Sequence, residues 1–133
     1  MDIVFQIHSI FGERVLPLLI VIAAVWFTVS WKNASANSLP ARIFPVLVDI
    51  QVTLGIFYWI YMLVSTTGAT QAKYYSFPFI LHPILGILAA GLAHMAVGKR
   101  NPFAKSLGRW APLASLSLLF VIVLSGAVIA LQV

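Results

Sequence analysis

Residues 111–131 read APLASLSLLFVIVLSGAVIAL, and this stretch, which contains no charged residue, decides the class of fold. A helix needs about 20 mainly apolar residues to cross about 30 Å of hydrocarbon. The stretch is long enough, and its hydrophobicity is continuous rather than alternating, which is typical of a membrane helix and not of a barrel strand. We therefore expect it to cross a bilayer as an α-helix.

Three more stretches have the same character, at residues 15–31, 44–66 and 77–97. Each is expected to be helical, because an unpaired backbone N–H or C=O group is costly in lipid. The linkers between them are polar, and the first reads KNASANSLPAR at 32–42. The sequence predicts an all-α, integral membrane bundle of four transmembrane helices that forms a single domain over residues 1–133.

The segment before the first span carries a short amphipathic pattern. Apolar residues recur at helical spacing at Ile3, Ile7, Ile10 and Phe11, and polar residues fall mostly between them. Such a segment either lies in the outer membrane interface or extends the first helix, and both alternatives stay open at this point.

The composition agrees with a membrane protein. The chain is 62% hydrophobic and 8% charged, whereas a soluble domain is about half apolar and about a quarter charged. It contains no cysteine, which excludes disulfides, thiolate metal sites and dithiol redox chemistry. Only three residues are acidic, and no hydrolase or phosphate-binding motif is present, which argues against a hydrolytic enzyme.

The basic residues predict the orientation of the chain in the membrane. Lys and Arg total 8 against 3 acidic residues, for a net charge of +5, and they lie at the ends of the apolar stretches. This placement indicates topology rather than nucleic-acid binding. Six basic residues fall in the first and third linkers, and Arg14 and Lys73 fall on the opposite side; the six are Lys32, Arg42, Lys99, Arg100, Lys105 and Arg109. We expect these two linkers in the cytoplasm and both termini on the extracytoplasmic side.

Ionisable groups inside a span are costly, so each one is a candidate functional residue. Asp49 and His94 are predicted at a similar depth, near the cytoplasmic ends of the second and third spans. If those helices are neighbours, the carboxylate and the imidazole form a hydrogen bond. This pair would act either as a proton relay or as a polar contact that fixes helix packing.

His82, near the outer end of the third span, is the candidate metal ligand. Together with His8 or Met62 it would hold a b-type haem, because haem iron takes His with His, or His with Met, from facing helices. His82 and His94 are about 120° apart around one helix. They therefore do not form the aligned pair expected for two stacked haems. We retain His94 as a cofactor-binding candidate, and a quinone is the alternative cofactor, with Tyr58 and Tyr61 as possible sources of hydroxyl groups.

In its architecture the chain resembles small four-helix b-type cytochromes and the membrane anchors of quinone-linked oxidoreductases. This resemblance implies a small integral membrane subunit of a respiratory or photosynthetic electron-transfer complex, rather than a stand-alone enzyme. Two-haem cytochromes of this type carry four histidines in two facing pairs, and this chain has three.

One alternative is a structural or assembly subunit that binds larger membrane proteins and has no chemistry of its own. Another is a small proton-coupled carrier that works as a dimer through Asp49.

Overall fold

The computed structural model describes residues 1–31, 38–96 and 100–132. Four of its helices are long and apolar enough to cross a membrane, and no strand occurs in these ranges. They are α1 (Asp2–Val29), α2 (Leu39–Ser65), α4 (Phe77–Met95) and α5 (Ala111–Gln132), with a short helix α3 (Gly68–Tyr75) between the second and the third of them. The predicted all-α bundle of four membrane helices is confirmed. Lys32, Lys99 and the predicted end of the third span at residue 97 lie outside the described residues.

The first membrane helix begins much earlier than the apolar stretch at 15–31. Asp2–Ile10 is α-helical, Phe11–Val15 forms a wider π-helical turn, and the α-helix then continues to Val29. The wide turn comes just before Pro17, whose ring has no N–H to continue the regular hydrogen-bond pattern. Of the two alternatives for the amphipathic segment, the structure therefore has the one in which it extends the first helix.

The other helix boundaries follow from local sequence signals. The Ser38 hydroxyl accepts a hydrogen bond from the Ala41 N–H (3.4 Å), and Pro40 stands in the first turn of α2. This N-cap and the early proline explain why α2 starts at Leu39, before the apolar stretch begins. Short turns at Ala104–Leu107 and Gly108–Trp110 lead into α5. Gly108 has a φ of 53°, a backbone conformation that residues with a Cβ rarely adopt.

The four membrane helices pack in a ring, in which α1 contacts α5, α5 contacts α4, α4 contacts α2 and α2 contacts α1. The hydrophobic core lies toward the end of the bundle where α1 ends and α2 begins; it includes Ile20, Phe27, Val48, Ala93, Leu116 and Leu119. Many large apolar side chains remain exposed around the outside, for example Leu18, Phe57 and Val128. This exposed apolar surface fits contact with lipid.

The linker at 67–75 is folded rather than extended. Most of it forms α3, which lies back against the end of α2. The Trp59 indole N–H donates to the Tyr74 carbonyl (2.9 Å), and the Gln71 amide donates to the Leu63 carbonyl (2.7 Å). The core therefore fills one end of the bundle, and near the other end α3 packs against α2.

Candidate functional site

A cavity of about 430 Å³ lies among the four membrane helices, between the core and the end of the bundle that contains α3. Its walls are mainly apolar and include Leu16, Val52, Ile122 and Val123. Binding sites for small molecules and cofactors typically measure about 300–1,000 Å³ and combine apolar walls with a few polar groups. The cavity is of this kind, and two of its polar groups are imidazoles.

The first imidazole, His8 on α1, is held by a pair of hydrogen bonds to a single residue of α2. The His8 Nδ1–H donates to the Gln51 carbonyl (3.0 Å), and the Gln51 side-chain amide donates to the His8 carbonyl (2.7 Å). Gln51 is 7% exposed, so this reciprocal contact is almost shielded from the surroundings. It fixes the orientation of the His8 ring and the position of α1 along the axis of α2.

Two glycines allow α1 and α2 to approach closely enough for this contact. A Cβ atom at Gly12 would overlap the Gln51 amide nitrogen, and one at Gly55 would lie 2.5 Å from His8 Cε1. His8 and Gly12 are one turn apart on α1, and Gln51 and Gly55 are one turn apart on α2. Each helix therefore places a large polar side chain against the glycine of the other.

The second imidazole, His82 on α4, faces the same cavity. Its Nδ1–H donates to the Gly126 carbonyl of α5 (2.9 Å). A Cβ at Gly126 would lie only 3.5 Å from His82 Nδ1, so the ring packs directly on the α5 backbone. A helical carbonyl keeps a second lone pair, which makes this contact possible without loss of the helix.

These contacts determine the tautomer of both histidines. A carbonyl oxygen can only accept, so Nδ1 must carry the proton in His8 and in His82. In the neutral rings Nε2 then carries a lone pair, and within the described residues neither Nε2 has a hydrogen-bond partner. Histidines that bind a metal through Nε2 characteristically donate the other ring N–H to a carbonyl or a carboxylate in this way.

The two imidazoles are close together. Their ring centroids are 5.9 Å apart, and the ring planes are nearly perpendicular, at 85°. With metal–nitrogen bonds of about 2 Å, two imidazoles that share one metal ion have centroids roughly 6 Å apart. In the described residues no cluster of three or more His, Cys, Asp or Glu could hold a bare metal ion. A metal that brings other ligands with it needs only two from the protein, and His8 and His82 are the candidates for these two.

One buried atom at the cavity has no partner. Gln51 Oε1 is enclosed and accepts no hydrogen bond, although its residue lines the cavity. A buried acceptor left unpaired costs about 1–3 kcal/mol.

Met62, the other proposed partner of His82, does not line the cavity. It lies almost one turn beyond the cavity-lining Trp59 toward the end of α2, where its carbonyl accepts from the Thr66 hydroxyl (2.6 Å). The structure therefore brings His82 together with His8 rather than with Met62. His94 is also absent from the cavity and lies on the outer surface of α4.

The expected contact between Asp49 and His94 is present. His94 Nε2 lies 2.8 Å from Asp49 Oδ2, and the two side chains are 43% (Asp49) and 53% (His94) exposed on the outside of the bundle. The pair thus joins α2 to α4 on the face away from the cavity. Its role, as a relay or as a packing contact, stays a prediction.

A double-mutant cycle measures what this pair contributes. Asp49→Ala and His94→Ala should each lower the free energy of unfolding in detergent, and the double variant should lose less than the sum. We expect a coupling of about 0.6 kcal/mol, the average for hydrogen bonds between membrane helices. Strict additivity would mean that the two side chains contribute independently.

Sequence reasoning missed the roles of Gln51, Gly12, Gly55 and the Gly126 carbonyl. A signal for the first three was present, because His8 and Gly12 have the same one-turn spacing as Gln51 and Gly55. Nothing in the sequence marks the backbone carbonyl of Gly126.

Comparison of the chain with protein-family models, with curated proteins and with solved structures finds no match.

Proposed function

We propose that the bundle holds one b-type haem in the cavity, that His8 and His82 would hold its iron, and that the protein is a membrane electron-transfer subunit. The observation that carries the proposal is the pair of imidazoles from α1 and α4, 5.9 Å apart at one cavity, each with Nδ1–H donated to a backbone carbonyl. Haem supplies one-electron redox chemistry when it is bound between two such ligands.

The residues of the chain have distinct tasks in this proposal. Gln51 and the Gly126 carbonyl orient the two rings and, in the neutral imidazoles, leave the lone pair on Nε2. Hydrogen bonds to the outer nitrogen also make the ligand more basic, which favours binding of the oxidised metal. Leu16, Val52 and Ile122 line the cavity with apolar surface, which limits access of water to the redox centre.

The hydrogen-bonding groups at the cavity argue against a quinone as the occupant. Quinone carbonyls need hydrogen-bond donors, whereas His8 Nε2, His82 Nε2 and Gln51 Oε1 are all acceptors. The Trp59 N–H is already donated to Tyr74, and the Ser9 hydroxyl is donated to Glu13 (2.9 Å). Of the tyrosines named from the sequence, Tyr61 does not line the cavity; Tyr58 does, and its hydroxyl can donate to a quinone, so the preference for haem rests on the three acceptors.

Titration of the protein with haem tests the proposal. Protein produced without haem and held in detergent should bind haem with a stoichiometry of one per chain and give the spectrum of a six-coordinate, low-spin iron. A short-chain quinone in excess should not compete. Binding without saturation at one per chain, or displacement by the quinone, would contradict the proposal.

A structural or assembly subunit is the second candidate, and the Asp49–His94 pair favours it. An ion-pairing carboxylate that is 43% exposed on a membrane helix is costly in lipid, so a protein partner on that face would relieve the cost. This candidate and the haem proposal are compatible, because the pair and the cavity lie on different faces of α2.

For topology we propose that both termini lie on the extracytoplasmic side. The basic linkers support this orientation, and the structure removes Arg14 from the opposing count, because it lies about 18 Å from Asp2 along α1 and not in a loop. Because the chain has no cysteine of its own, a thiol reagent labels only the cysteine that is introduced. Single cysteines at Ser35 and Lys105 should react only from the cytoplasmic side and one at Lys73 only from the outside, and the reverse pattern would overturn the orientation.

A further inference from the structure

Two opposite charges lie at a similar depth on the lipid-facing surface of the bundle. Arg14 is exposed near the middle of α1, about 18 Å from Asp2 and about 22 Å from Val29. Asp49 is on α2, about 15 Å after Leu39 and about 24 Å before Ser65. Lys and Arg side chains near helix ends can reach the interface, but Arg14 is far from either end of α1, and Asp49, which bonds to His94 near the end of α4, lies ten residues into α2.

The packing of α1 against α2 sets the relative depth of the two charges. Gly12 lies against the Gln51 side chain, and His8 bonds to the Gln51 backbone. Because the two helices run in opposite directions, Arg14, two residues beyond Gly12, is within about one helical turn of the level of Asp49, two residues before Gln51. The cation and the carboxylate therefore lie in nearly the same plane of the membrane.

Neither charge is balanced within the described part of the chain. Arg14 forms no ion pair there, and its neighbour Glu13 accepts from Ser9 and lines the cavity. Within the same residues the ionic partner of Asp49 is His94, which balances its charge only when the imidazole is protonated. Charged groups inside membranes normally pair with one another or face a polar interior. The exposed face of α1 therefore carries an unbalanced positive charge, and the exposed face of α2 carries an unbalanced negative charge.

We propose that a second copy of this chain covers these charges, with Arg14 of each copy paired to Asp49 of the other in a two-fold symmetric dimer. Two copies inserted in the same orientation place Arg14 of one copy within about one helical turn of the level of Asp49 of the other, as within a single copy, and an unrelated partner would have to match this level by its own sequence. Two-fold symmetry makes the contact occur twice, so both cations and both carboxylates are balanced. The proposal does not depend on the cofactor in the cavity.

Measurement of the mass of the protein in a mild detergent or in lipid nanodiscs tests the dimer. The wild type should be dimeric, and Arg14→Ala and Asp49→Asn should each raise the dissociation constant by roughly tenfold or more. Asp49→Asn retains an oxygen that can accept from His94. Lys73→Ala and Asp2→Asn remove a cation and a carboxylate near helix ends, and they should leave the dimer unchanged.

Co-expression of the two variants under different affinity tags gives the sharper test. An Arg14→Ala copy still carries Asp49, and an Asp49→Asn copy still carries Arg14, so the mixed dimer retains one of the two ion pairs. We expect the mixed dimer to co-purify while each variant alone is monomeric and keeps its helical circular dichroism. A monomeric wild type, or folded variants that dimerise as tightly as the wild type, would overturn the proposal, as would the absence of the mixed dimer.

Discussion

His8→Ala and His82→Ala are each expected to abolish the low-spin spectrum of the haem that we propose for the cavity. Each change removes one of the two imidazoles that face the cavity, and the proposed haem iron would then have only one protein ligand. Haem content per chain and the position of the reduced α band measure the effect. We expect at least a tenfold loss of bound haem, or conversion to a high-spin spectrum, in both variants.

His94→Ala is the matched control, since it removes the only other histidine of the chain. His94 lies on the outer surface and bonds to Asp49, so its loss should leave the spectrum and the haem content unchanged. An unchanged low-spin spectrum in either cavity variant would exclude that residue as a ligand. Loss of haem in His94→Ala with the cavity variants unaffected would place the haem outside the cavity.

Gly55→Ala is expected to disturb the site without any change to a ligand. The new methyl group would lie 2.5 Å from His8 Cε1 and 3.0 Å from His8 Nε2. The ring cannot simply rotate away, because its Nδ1–H is bonded to the Gln51 carbonyl. Overpacking of this kind costs about 1–3 kcal/mol in the free energy of unfolding, and the displaced His8 should lower haem affinity at least tenfold.

Gly91→Ala controls for the general effect of replacing a glycine in a membrane helix. No atom lies within 4 Å of the Cβ position there, and alanine is the better helix former by about 1 kcal/mol. This variant should therefore be as stable as the wild type, or slightly more stable, with the same haem affinity. If Gly55→Ala behaves like Gly91→Ala in thermal unfolding and haem titration, the close packing of α1 on α2 at His8 is wrong.

The architecture was predictable because it depends on long apolar stretches, which tertiary context does not alter. Residues 111–131 contain no charge, and they lie in α5 (Ala111–Gln132) as expected. The start of α1 was not predictable in the same way. Glu13 and Arg14 interrupt the apolar run, so hydropathy alone suggested that the span begins after them, whereas packing on α2 and α5 continues the helix through both residues.

The candidate site was predictable only as a set of residue types. His82 with His8 or Met62 followed from residue chemistry and approximate depth. The choice of His8 depended on how far α1 is shifted along α2, which the Gln51 contact determines. Asp49 and His94 were easier to pair, because both belong to helices joined by a short linker, and at matching depth they have few other polar partners.

The visible absorption spectrum of the purified wild-type protein, produced with an adequate haem supply, tests the central claim most directly. The account predicts one haem per chain, with a sharp Soret band and split α and β bands after reduction, all lost in the His8→Ala/His82→Ala double variant. A folded but colourless wild type would contradict the account. So would a wild type whose haem content equals that of the double variant.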